Sequence, residues 1–225
     1  MKKFRIIIDV LMYIIFIVLM GHHITENKIH EILGIVMFIL FIIHNLLNFK
    51  FYKTIFKGKY NLKRLFLTTI DGLLLVCFMG IIISSINISS DVFDFLNIQT
   101  KSWGLKLHML STSWGFIMMS IHLGLHLNPL LNKINSKMKK STFEYIYYLL
   151  FIVLIIYGIY SFIKQNYISD MFVLSPFKAY NFDEATFIFY LHTVSSSLCI
   201  SLIIYLINIF KIKNREEENK IGKEK

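Results

Sequence analysis

The chain has 225 residues, 56% of them hydrophobic and 16% aromatic, with a formal net charge of +10. A soluble domain of this length cannot cover so much apolar surface, so the composition excludes an ordinary water-soluble protein and indicates several membrane crossings. The basic excess then belongs on membrane-flanking loops rather than on a nucleic-acid surface.

In chain order, the N-terminal MKKFRIIIDVLMYIIFIVLMGHH pairs a basic start with an apolar run. The run ends Val18-Leu19-Met20 without small residues at a cleavage position, so it reads as a retained first span rather than a signal peptide. Five more apolar segments follow, giving spans at 6–22, 29–49, 65–87, 104–127, 143–164 and 186–210. Each approaches the roughly 20 residues that cross a hydrocarbon core. Pro129 and Pro176 fall between spans, as helix interiors require.

Charge sets the orientation. Lys2, Lys3 and Arg5 precede the first span; Lys50, Lys53, Lys57, Lys59, Lys63 and Arg64 follow the second; Lys133, Lys137, Lys139 and Lys140 follow the fourth. The alternate loops carry Glu26, Asp91, Asp94, Asp170, Asp183 and Glu184. The positive-inside rule then puts both termini in the cytoplasm of a multi-pass protein of the cytoplasmic membrane. The expected fold is all-α, an integral membrane helix bundle.

Two cysteines, Cys77 and Cys199, lie inside apolar runs with no CxxC pair. Zinc sites, thiol redox motifs and covalent haem attachment therefore lack their residues. Histidine carries the pattern instead. His30 and His44 are fourteen residues apart on the second span, and His108 and His122 are fourteen apart on the fourth. Fourteen residues rise about 21 Å and fall some 40° short of four full turns, so each pair shares one helix face. The second and fourth spans run in the same direction. His30 is thus level with His108 near the outer surface, and His44 with His122 near the inner one. Eight histidines placed at random would give roughly 0.2 pairs at a chosen spacing, whereas two occur.

Two imidazoles from facing helices are natural axial ligands for a non-covalent b-type haem, and a bundle interior is where such a site is built. The pairs His30/His108 and His44/His122 are accordingly expected to hold two haem b irons. The ligand-bearing helices must stand apart to admit a porphyrin. Gly34 and Gly115 lie on the same faces and would let its edges approach the backbone.

The remaining ionisable residues have plainer readings. His126, one turn past His122, has Asn48 rather than histidine at the equivalent position on the second span, so it reads as interfacial. His22 and His23 read as solvated, and His192 as a hydrogen-bonding group or part of a proton path. Asp9 and Asp71, near the inner span ends, read as interfacial anchors or members of a proton or quinone site. Lys28, Lys101 and Lys106 are candidates for haem propionates on the outer side, and Lys50 and Lys53 on the inner.

NKIHEILGIVMFILFIIHNLLNFKFYKTIFKGKYN together with KLHMLSTSWGFIMMSIHLGLH resembles the flavinylation-associated cytochrome family, small bacterial ferric-reductase-like di-haem membrane proteins. The paired histidines also resemble the core of respiratory cytochrome b. The likeness covers residues 1–130, a four-helix di-haem core. Residues 131–225 would add two further spans and a basic cytoplasmic tail.

The resemblance implies transmembrane electron transfer, as an oxidoreductase component, from a quinol or cytoplasmic-side donor to an extracytoplasmic flavin or metal acceptor. It implies a quinone and a flavin-binding redox protein as partners besides the lipid bilayer, and it marks no residue for either. The competing readings are a cytochrome b anchor of a larger quinol-linked oxidoreductase and a haem-free proton-coupled transporter with a histidine relay. The transporter class predicts inverted repeats or broken helices at midplane, which the sequence does not display.

Overall fold

The computed structural model describes residues 2–98, 101–127, 131 and 142–221. The basic residues Lys133, Lys137, Lys139 and Lys140, and Pro129, lie outside them. Within them all regular structure is helical: α1 (Lys2–Leu19), α2 (His22–Leu47), α3 (Phe49–Thr54), α4 (Leu62–Ile88), α5 (Ser102–His126), α6 (Thr142–Lys164), α7 (Tyr167–Met171) and α8 (Thr186–Ile221), with a 3-10 turn at Asp94–Leu96.

The long helices coincide with the apolar segments, and their boundaries have local causes. Only Met20 and Gly21 separate α1 from α2, and so short a link makes the two helices antiparallel neighbours. The Asn61 side chain accepts the Arg64 N–H at 2.8 Å and starts α4. Within α2, Glu26 adopts φ 58° and ψ 165°, a conformation alien to L side chains. This kink separates the turn at His22–Thr25 from the straight helix that carries His30 and His44. At the other end of the chain, α8 runs to Ile221 rather than stopping near 210. The Glu- and Lys-rich sequence there ends the apolar span but favours helix.

Three stretches are long and apolar enough to cross a membrane on length and hydropathy alone: His22–Leu47, Arg64–Ile88 and Thr186–Ile209. Of the α2 and α4 stretches only 6% and 11% is buried within the chain, so large apolar side chains such as Ile32, Ile39, Val76 and Ile83 face outward. Water does not tolerate such faces; lipid does. The other long helices have identifiable reasons to score lower. Helix α1 opens with Lys2, Lys3 and Arg5 and holds Asp9. The apolar part of α6 is the shorter stretch Leu149–Lys164. Helix α5 is interrupted by Ser111, Thr112, Ser113 and Ser120.

The small residues of α5 follow from its central place. It packs against α4 on one side and α8 on the other, and α8 packs in turn on α6. Ser113, Gly115, Phe116, Ser120 and Gly124 of α5 are buried. Ser120 Oγ, which donates to the Phe116 carbonyl at 2.8 Å, lies 2.9 Å from Ser197 Oγ, and Ser201 donates to the Ser120 carbonyl at 2.7 Å. A Cβ placed on Gly124 would stand 2.9 Å from the Ser201 Cα, so only glycine permits this approach. Without a hydrophobic drive between helices in lipid, close backbone contact and side-chain hydrogen bonds are what hold them together.

Helix α2 behaves differently. It packs on α1 and stands off from α4 and α5. Phe41 of α2 and Phe78 of α4 span the gap as a stacked pair, 3.8 Å between centroids. Above that stack the helices leave a cavity.

Candidate functional site

The cavity has a volume of about 700 Å³, within the range of pockets that enclose a cofactor-sized ligand. Its walls are mostly apolar, with His30 of α2 and His108 of α5 on opposite sides. The two imidazole centroids lie 6.3 Å apart with planes at 67°. Two imidazoles that each bind one iron at about 2 Å have ring centres roughly 6 Å apart.

The hydrogen bonds fix one tautomer. Ser84 Oγ donates to the Gly80 carbonyl at 2.7 Å, which uses its single proton. At 3.1 Å from His108 Nδ1 it must therefore accept, so His108 carries its proton on Nδ1 and leaves Nε2 with a bare lone pair. His30 Nδ1 is buried and has no hydrogen-bond partner. Gly34, one turn below His30, lines the same cavity, and a Cβ there would meet nothing within 4 Å. Gly115 does not share that role: a Cβ on it would touch Cys77, Ile81 and Phe16, so it serves packing against α4 and α1.

At the opposite end of the same helices, His44 Nδ1 lies 2.7 Å from Asp9 Oδ1, and His122 Nδ1 lies 2.7 Å from Asp71 Oδ1. Each carboxylate holds its imidazole through Nδ1, the arrangement that orients metal-binding histidines, although Asn48 Nδ2 stands 3.5 Å from His44 Nε2. No ring contact joins His44 to His122; the ring nearest His122 is His126, at 4.6 Å. The two residues thus share an end of the bundle and an electrostatic pattern, while the outer pair faces across a cavity. Asp9 and Asp71 are histidine partners rather than lone interfacial anchors.

The other candidates are placed as follows. His23 is not solvated: its ring packs on Tyr180 at 4.2 Å and Phe189 at 4.8 Å. His22 is exposed and meets the His30 ring edge-on at 4.8 Å, brought there by the Glu26 kink. His192 is 2% exposed. Ser161 Oγ donates to the Tyr157 carbonyl and so accepts from His192 Nδ1 at 2.8 Å, while Lys164 Nζ donates to Nε2 at 3.2 Å. Both ring nitrogens are satisfied, which makes His192 a structural hydrogen bonder. None of Lys28, Lys101 and Lys106 lines the cavity; the cation that does is Lys178, from the connection between α7 and α8.

Glu31, beside His30, is fully engaged. It accepts from Asn27 Nδ2, Ser89 Oγ and the backbone N–H groups of Ser90, Asp91 and Val92 at 2.6–3.3 Å. It pins the turn after α4 over the cavity.

Among the described residues no cluster of three or more His, Cys, Asp or Glu is placed to hold a bare metal ion. An iron that brings its own equatorial nitrogens needs only two protein donors, and the outer pair has the corresponding separation. No family model matches this chain, and neither a curated protein nor a solved structure matches it.

Proposed function

We propose that this chain is a b-type membrane cytochrome of six spans that carries electrons across the cytoplasmic membrane. Two haem b groups are held by His30 with His108 and by His44 with His122, and the acceptor is an extracytoplasmic flavin or metal. The observation that carries the reading is the His30–His108 pair, 6.3 Å apart across a cavity of about 700 Å³.

Bound haem supplies reversible one-electron chemistry at its iron. The chain's own residues do the rest. Ser84, Asp9 and Asp71 hold three of the imidazoles in the tautomer that ligates. The apolar walls exclude water and keep the site in a low dielectric. The helix rise sets the two histidine layers about 21 Å apart, which divides the bilayer into two short electron steps. A proton relay uses the same histidines but needs polar continuity between the layers, and the apolar Phe41–Phe78 stack stands between them. A quinol-linked anchor would share every ligand and differ only in its partner.

The test is a dithionite-reduced minus oxidised spectrum of the purified chain, with a pyridine haemochrome count. The expected result is a b-type spectrum with two haems per chain, falling to about one in His108→Ala. Protein made with ample haem yet lacking a Soret band overturns the reading. The open space at Gly34 gives a second expectation. Gly34→Leu starts from a Cβ that meets no atom within 4 Å and extends into the outer cavity, so about one haem should be lost while the helical circular dichroism is kept.

A further inference from the structure

The outer cavity is electrically lopsided. One wall carries Glu31, whose oxygens are saturated by five donors. The other carries Lys178, the one Lys or Arg among the lining residues. The Lys178 side chain is 16% exposed, and its Nζ lies 3.3 Å from Asp170 Oδ2. The rings of Tyr167 and Tyr180 flank it at 5.3 Å and 5.7 Å. Asp170 is its one ion-pair partner among the described residues. An ammonium has three N–H donors, so this one has capacity left on the side that faces the cavity. The Tyr180 side chain lines the same wall.

A buried cation paired at one oxygen is expensive unless something else uses it. Burial pulls the Lys178 ammonium below its usual range and pushes the Asp170 carboxyl above its own, each partly opposed by the other's charge. Trp114 of α5 donates to the Met171 carbonyl at 2.9 Å, which anchors the segment that carries Asp170. The cation is therefore held in place rather than trailing into solvent.

We propose that Lys178, with Tyr180 beside it, is the anchor for the carboxylates of the ligand in the outer cavity, and so sets which way round that ligand sits. The inference rests on the haem reading, in which these carboxylates are the propionates. They point toward the connection between α7 and α8, away from Glu31. The charged end of the ligand then faces the extracytoplasmic surface, where a partner meets it.

The experiment compares haem b with its dimethyl ester, which lacks propionate charge, in titrations of full-length chain made under haem limitation, followed at the Soret band. Wild type is expected to bind the ester about tenfold to a hundredfold more weakly at the outer site, the range for a lost charge-assisted hydrogen bond. His44→Ala supplies the background in which only the outer site fills. Lys178→Met in that background should bind both pigments alike, and Lys178→Arg should restore the preference. Asp170→Asn, which frees the ammonium, should keep or strengthen it. Equal discrimination in Lys178→Met and Lys178→Arg overturns the assignment. Should Lys178→Met not fold, loss of preference in Lys178→Gln decides in its place. Absence of any Soret band with either pigment is a different result, the failure of the haem reading itself.

Discussion

With the two proposed haems bound, Asp71→Asn is expected to raise the midpoint potential of the inner centre by on the order of 50–100 mV and leave the outer centre within about 10 mV. A carboxylate that accepts from Nδ1–H pushes electron density toward Nε2 and stabilises the oxidised iron. The inner layer has two such partners, Asp9 and Asp71, each at 2.7 Å. The outer layer has a serine hydroxyl on His108 and nothing on His30 Nδ1. The inner centre should therefore titrate below the outer one in the parent protein, and electrons should fall outward. For a one-electron couple about 59 mV is tenfold in equilibrium constant, so the shift stands for a factor of roughly ten to fifty. A spectroelectrochemical titration of parent, Asp71→Asn and Asp9→Asn proteins checks it. Two centres of equal potential in the parent, unmoved by either change, would remove the asymmetry and with it the outward gradient.

The largest stability effect is expected at Gly124. The Ser201 Cα would lie 2.9 Å from a new Cβ, and Ile204 Cβ would lie 3.0 Å away. These are main-chain and branched atoms that cannot swing aside. Gly124→Ala should cost about 1–3 kcal/mol by overpacking, or roughly 2–12 °C in the thermal midpoint for a chain of this size. Gly124→Leu should prevent α5 and α8 from closing. Gly34→Ala is the matched control, because open space surrounds it, and should keep the midpoint or raise it by roughly 1–4 °C through helix propensity. Differential scanning fluorimetry of the two alanine variants, in one detergent, reads the contrast directly. Equal small gains at the two glycines, as helix propensity alone predicts, would mean that close packing does not govern Gly124.

Much of the site could be read from spacing. The fourteen-residue interval places His30 and His44 on one face whatever the tertiary structure, because the helix repeat alone fixes it. The facing of His30 and His108 needed only that the second and fourth helices run the same way. The partners Asp9 and Asp71 were present in the sequence at the right depth. Which imidazole each one meets depends on the rotation of α1 against α2 and of α4 against α5, which no local pattern encodes.

Lys178 was further out of reach. It stands more than fifty residues beyond His122 in the chain, and only the folding of α7 and its connection to α8 brings it to the cavity. The Glu26 kink carries no turn signal at all, since glutamate is a poor residue for positive φ. The serines and glycines of α5 lower the hydropathy of that helix. They are the mark of a helix whose neighbours are protein rather than lipid.

The Phe41–Phe78 stack carries a consequence for bioenergetics. A wire set into an energy-conserving membrane must pass charge in one form and block it in every other, because each ion that leaks collapses the gradient that respiration maintains. Two aromatic rings 3.8 Å apart are a thin obstacle to a tunnelling electron. To a hydrated proton the two rings themselves offer neither a donor nor an acceptor. The same few ångströms thus act as conductor and insulator at once. On the proposed reading, replacing either phenylalanine with a small or polar residue would open a proton leak beside the electron route.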